Sequence, residues 1–280
     1  MFRSGFDRLK TYFRDYRLLG SGLVVAIVIL VSVLAPLITS SDPNALNAQH
    51  RLEGPSTDFL LGTDSFGRDL FSRLVYGARL SLTVSLGSVI IGCLIGTTIG
   101  LVSGYSGGMT SLLLMRVVDL LLAFPTILSA LFIIAFVGTS VTTLIITIGI
   151  LFIPEFARIV HSSVLAVREL DYVSASRTIG NSNFRIAVRT ILPNILAPIA
   201  VQFSMALGGA MILESSLSFL GLGPPPPASS WGRMISDASA FLRVSAFGLI
   251  WPAIAISLSV LAFNILGDAI RDRLDPRLRQ

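Results

Sequence analysis

The residues able to do chemistry are few. Arg116 and Asp119, Glu155 and Arg158, and the single amide Gln202 interrupt or border long apolar runs. Charged residues three apart share a helix face and can pair there. Each pair then serves either as a structural ion pair at a membrane boundary or as a gate in a polar route between helices. Gln202 can likewise bond a neighbouring helix or line such a route. A second group, Gly62, Asp64, Gly67, Arg68 and Asp69, precedes an amphipathic run with Leu70, Phe71, Leu74 and Val75 on one side. It reads as a turn capped by Asp64 that leads into an interfacial helix. Other chemistry finds little support. The one cysteine, Cys93, sits in an apolar run as a small packing residue. His50 and His161 fall in segments expected on opposite membrane faces, so no metal site is expected. A phosphate-cradling loop needs a glycine before its Lys-Ser/Thr pair, and Leu9 precedes Lys10-Thr11, the only lysine. The chain is therefore expected to bind no cofactor of its own. Paired carboxylates or histidines suited to an intramembrane enzyme are also missing from the apolar runs.

These side chains must be positioned by membrane helices. With 53% hydrophobic and 13% charged residues, the 280-residue chain is too apolar for a soluble domain of that length and is read as an all-α integral membrane protein. Six runs are long enough to cross a bilayer: 18–38, 80–102, 120–137, 141–160, 195–213 and 247–266. The first exceeds a signal-peptide core and is read as uncleaved. Residues 1–17 form a basic amphipathic segment before it, 39–79 and 214–245 are external segments, 80–268 holds the transmembrane core, and 269–280 is a tail. With both termini cytoplasmic, 15 of the 21 basic residues fall inside and 6 outside, as the positive-inside bias requires. That distribution accounts for the net charge of +5 without nucleic acid.

Within the second run Gly92, Gly96 and Gly100 recur every four residues and allow another helix to approach closely. Gly104-Tyr105-Ser106-Gly107-Gly108 turns the chain into the third run. In the second external segment, Pro224 to Pro227 are expected to form an extended strut, and Trp231 to anchor at the membrane interface.

The segment 168–194 is the long polar interruption of the C-terminal half that is itself patterned as helices. Asp171 can cap a first short helix carrying Tyr172, Ala175, Ser176 and Ile179, which Gly180 ends in a left-handed conformation. Ser182 or Asn183 can cap a second helix, with Phe184, Ala187, Val188 and Ile191 as its apolar face and Arg177, Arg185 and Arg189 on the other side. Pro193 closes the segment. Two uses stand open: a knob that docks into a groove on a soluble partner, or a basic amphipathic loop among lipid headgroups.

The spacing Ser174-Ala175-Ser176, three residues, Gly180, then Leu192-Pro193 resembles the Glu-Ala-Ala loop of permease subunits in binding-protein-dependent ABC importers. Ser174 stands where that family often has Glu, Ser176 where it has Ala, and Thr190 where it has Ile. More specifically, Leu61-Gly62-Thr63-Asp64 with Gly67-Arg68-Asp69 resembles the signature of the dipeptide, oligopeptide and nickel branch. The segments SFLGLG at 218–223 with its prolines and Trp231-Gly232, and NILGDAIRDRLDPR near the end, resemble further motifs of that branch. The resemblance implies a type I ABC importer permease fold of six transmembrane helices in the bacterial inner membrane. It also implies a second homologous permease, two ABC ATPase subunits that use the ATP and receive the 168–194 loop, and an external substrate-binding protein. Di- or oligopeptide is the implied substrate, nickel or glutathione the alternative, and a stand-alone channel the remote one.

Overall fold

A computed structural model of the chain describes residues 16–39 and 41–274. The basic segment before Tyr16, Lys10 included, and the last residues of the tail lie outside the described residues. Every named element is a helix: α1 (Tyr16–Val33), α2 (Ala35–Ile38), α3 (Leu70–Ser106), α4 (Gly108–Leu122), α5 (Thr126–Val137), α6 (Val141–Val167), α7 (Asp171–Thr178), α8 (Asn183–Phe219), α9 (Trp231–Ser239) and α10 (Phe247–Leu274). Five of them, α1, α3, α6, α8 and α10, are each long and apolar enough to cross a membrane, and α4 with α5 supplies a sixth if the bent pair is one span.

Proline and glycine account for the places where this architecture departs from six straight runs. The first run breaks at Leu34, because Pro36 offers no N–H and crowds the preceding turn. The third run is not one helix: α4 and α5 meet at 87°. Pro125 pushes Phe124 away from the helical region, so the break falls there. The expected interfacial helix is instead the opening of α3. That helix continues unbroken for 37 residues, about 55 Å at the helical rise, against an apolar bilayer core of about 30 Å. It ends where Gly107 and Gly108 take φ of 65° and 54°, values that side chains disfavour.

The core forms where α3 lies against α6. A Cβ on Gly92, Gly96, Gly100 or Gly104 would come within 2.6–2.8 Å of Phe152, Phe156, Val160 or Val164. Gly149 of α6 returns the fit against Ile91 at 3.0 Å. The expected small-residue stripe therefore does what its spacing suggests: in a bilayer, where burial from water drives little, close backbone approach holds helices together. Val89, Leu144, Ile148 and Phe156 fill the seam, and Met211, Leu217 and Phe263 extend it onto α8 and α10. Those two helices are joined by the Ser204 hydroxyl donating to the Phe263 carbonyl at 2.8 Å. α1 lies outside, against α10 and α3.

Candidate functional site

Residues 168–194 fold into a knob at one end of α3 and α6. Asp171 is not the cap of α7: Leu170 holds that position, no side chain caps the helix, and Asp171 occupies its first turn, favourable to the helix dipole. Gly180 ends the helix at φ +83° with open space around it. Ser182 then caps α8 by accepting from the Arg185 N–H at 3.4 Å. From Ile186 to Ile191 the backbone is a π-helix, followed by a 3₁₀ turn from Leu192 to Ile195. Pro193 supplies the reason, since its ring excludes the ordinary bond to the carbonyl four residues back.

The wider π spacing resets the helix phase and splits the apolar face expected for this helix. Ile186, Ile191 and Ile195 turn inward and pack with Val173, Val160 and Val164. Phe184 and Val188 turn outward. With Tyr172 at 41%, Ile179 at 80% and Phe184 at 78% exposed, the knob presents apolar side chains outward, and Ser174 and Ala175 are exposed beside them. Ser176 and Leu192 are half-buried, and Pro193 is exposed. Polar contacts tie the knob to α3: the Tyr105 hydroxyl donates to Asn183 Oδ1 at 3.0 Å, and Arg168 Nη1 to the Gly104 carbonyl at 2.8 Å. The Arg177 guanidinium lies 5.5 Å from the Tyr105 ring centre.

The opposite end of α3 carries the second motif. Gly62 and Gly67 take φ of 87° and 74°, and a Cβ at Gly67 would overlap the Asn47 carbonyl oxygen. Asp64 closes this turn: Oδ1 accepts from the Phe66 and Arg68 N–H groups at 2.8 and 2.9 Å, and Oδ2 from Arg68 Nε at 2.6 Å. The helix cap is Asp69, not Asp64; it accepts from the N–H groups of Phe71 and Ser72. Arg73, its side chain 2% exposed, reaches Asp64 at 3.5 Å and Asp237 of α9 at 3.9 Å. Asp237 also pairs with Arg233 at 2.9 Å and Arg68 at 3.7 Å.

Trp231 is not an interface anchor but a buried wedge. Its Nε1 donates to the Leu74 carbonyl at 2.9 Å, and its ring lies where a Cβ on Gly77 would be, 2.9 Å away. The proline run before it contains a turn at Pro226-Pro227 rather than one extended strut. Beneath, fully buried Glu214 accepts from the Ser218 hydroxyl at 2.7 Å. Sequence reasoning missed Arg73, Asp237 and Glu214. For Glu214 the available signal was the apolar pattern resuming at Leu217 and Phe219, which keeps the acid inside α8.

The intramembrane charges pair between helices, not within them as expected. Arg158 of α6 donates to Asp119 of α4 at 2.7 Å, both half-exposed. Gln202 of α8 donates to Glu155 of α6 at 2.8 Å. Arg116 is exposed and forms no ion pair among the described residues. A cleft of about 520 Å³ between α6, α8 and the end of α10 is lined by Gln202, Asn194, Met205, Ile159, Arg271 and Leu274, among others.

Residues 96–280, which hold the knob and the cleft, match the model of the binding-protein-dependent transport system inner membrane component family. The chain belongs to that family. It is similar, at 43% identity over 92% of its length and 84% of the relative, to the dipeptide transport system permease protein DppC of Alkalihalophilus pseudofirmus. A putative peptide transport system permease protein of Brucella suis is 43% identical over 95% of this chain and 89% of its own. The glutathione transport system permease protein GsiD of Pectobacterium atrosepticum is 40% identical over 96% and 90%. In fold, the chain is similar to the inward-facing MetNI methionine ABC transporter, with a TM-score of 0.59, 18% identity, and 74% of this chain covering 98% of that one. It is thus an inner-membrane permease of the ABC importer class, which works with ATPase and substrate-binding partners, and a transport subunit by family.

Proposed function

We propose that this permease passes di- or oligopeptides inward as one of a pair with a homologous subunit, driven by two ATPase subunits that bind the knob and fed by an external substrate-binding protein. The observation that carries the coupling role is the outward apolar face of Tyr172, Ile179, Phe184 and Val188. A loop meant only to rest among headgroups needs no second layer, whereas here Val173, Ile186 and Ile191 brace that face against α6. ATP is consumed on the partners, and this chain binds no cofactor. Force applied at the knob reaches α3 through Arg168 and Tyr105, and a rigid helix of that length can carry it across the bilayer. Arg116, Asp119, Glu155, Arg158 and Gln202 serve the route or its gate. Peptide is favoured because two of the relatives above are named for peptide transport. Glutathione, itself a short peptide, is the second reading, favoured by a relative nearly as similar.

The test is co-purification from native membranes in mild detergent with an ATPase assay, followed by peptide uptake in proteoliposomes. A second permease with ATPase subunits and ATP-dependent dipeptide uptake is the expected result; reproducible recovery of this chain alone would overturn it. Reporters fused at Ser229 and after Gln280 test sidedness: external and internal readings, respectively, are expected, and the reverse would put the knob on the wrong face.

A further inference from the structure

We infer that the cleft between α6, α8 and α10 is a waypoint that reads the free ends of a short peptide: Glu155 with Gln202 takes its ammonium group, and Arg271 its carboxylate. This rests on the peptide reading above.

The argument begins with Glu155. It is exposed in the middle of α6, where a carboxylate facing lipid would be costly. It has no cationic partner among the described residues, because Arg158, three residues on, is engaged by Asp119. Its contact is the Gln202 amide, which donates one N–H to Oε2. That bond leaves Glu155 Oε1 and the Gln202 carbonyl as neighbouring acceptors. Two acceptors, one of them anionic, suit the several N–H donors of an ammonium group.

The rest of the cleft fits the remainder of such a ligand. Gln202 lines it directly, and at the end of α10 Arg271 is exposed and forms no ion pair among the described residues. Its fixed fork of donors suits a carboxylate. Apart from Asn194, the rest of the wall is apolar, with Ile159, Met205 and Leu274 among its residues, and Met205 adapts its shape readily. Along α8 the lining runs from Asn194 to Met205, about 16 Å at the helical rise. An extended peptide of two to four residues spans roughly 7–14 Å. The volume of about 520 Å³ lies within the usual range of small-ligand sites. An acceptor pair, a guanidinium and adaptable apolar surface in one cleft recognise the peptide termini while tolerating varied side chains.

The test uses the purified complex with its partner permease and ATPases in nanodiscs, without binding protein, so that selection upstream does not enter. Saturation-transfer NMR compares alanyl-alanine, its N-acetyl derivative and its C-terminal amide. Transfer to the free dipeptide is expected, falling at least fivefold for each blocked form. Glu155→Lys is expected to abolish the signal, and Arg271→Gln to remove the preference for the free carboxylate over the amide. Equal signals from free and blocked peptides in the wild type would overturn the assignment whatever the variants do. No transfer from a complex that imports alanyl-alanine in proteoliposomes would overturn the waypoint and leave the importer reading standing. No import of any short peptide with binding protein present would overturn both.

Discussion

The two ends of α3 are built on opposite plans. At the Asp69 end, Asp64, Arg68, Arg73, Arg233 and Asp237 form a network in which Arg68 and Arg73 are buried, and Trp231 wedges against Gly77 with its ring nitrogen bonded. At the Ser106 end the knob keeps Phe184 and Ile179 in the open and attaches to α3 through a few polar contacts. One end ties three chain segments together; the other leaves an apolar face exposed, the face to which the proposed function assigns a partner protein. On that proposal, a helix fixed at one end and offered at the other is built to transmit a push. Damage to the first end should therefore remove the folded protein, and damage to the second should spare the protein but stop its work.

The largest effect is expected from Gly67→Val. The left-handed backbone and the overlap with the Asn47 carbonyl leave a β-branched side chain no room. Membrane abundance should fall more than tenfold on immunoblots; normal abundance would show that this turn does not hold the segment. Arg73→Met comes next. It leaves Asp64 and Asp237 without one of their buried counter-charges, a change that typically costs about 3 kcal/mol. The purified complex should melt several degrees lower. An unchanged melting temperature would mean that Arg68 and Arg233 alone satisfy both acids.

At the other end, Phe184→Asp and Gly180→Pro should leave abundance and melting close to wild type and reduce uptake at least tenfold. The first puts a charge on the exposed apolar face; the second cannot adopt φ +83° and loses the Gly180 N–H bond to the Arg177 carbonyl at 2.9 Å. If either variant disappears from the membrane, the knob is part of the folding core and the contrast between the ends fails.

How much of this was legible in the sequence follows from the range of each interaction. Local rules were enough for Gly180, for a cap at Ser182 or Asn183 and for the turn at Gly107-Gly108, because each is set by neighbours within a turn or two; the four-residue spacing of the glycine stripe was legible too, but not that α6 is the helix it meets. The tertiary pairings were not. Arg116 and Asp119 have helical spacing, yet Asp119 turns to Arg158, since an ion pair between α4 and α6 is as accessible to it as one along α4. Charges read as membrane boundaries misplaced Glu214, which hydroxyls accommodate inside α8. The phase change at Ile186–Ile191 escaped the 3.6-residue pattern because that pattern assumes an unbroken α-helix, and Pro193 breaks it from several residues downstream.

The smallest expected effect is the most discriminating. Tyr105→Phe removes only the hydroxyl that donates to Asn183 and keeps the ring beside Arg177. One such bond is worth about 1 kcal/mol, too little to alter abundance. If the knob pushes α3 through this contact, ATP hydrolysis stimulated by substrate-loaded binding protein should persist while peptide imported per ATP falls two- to threefold. If Arg168, bonded to the Gly104 carbonyl, carries the push alone, that ratio will not change in Tyr105→Phe and will fall in Arg168→Gln. The pair of variants thus identifies which joint between the knob and α3 bears the load.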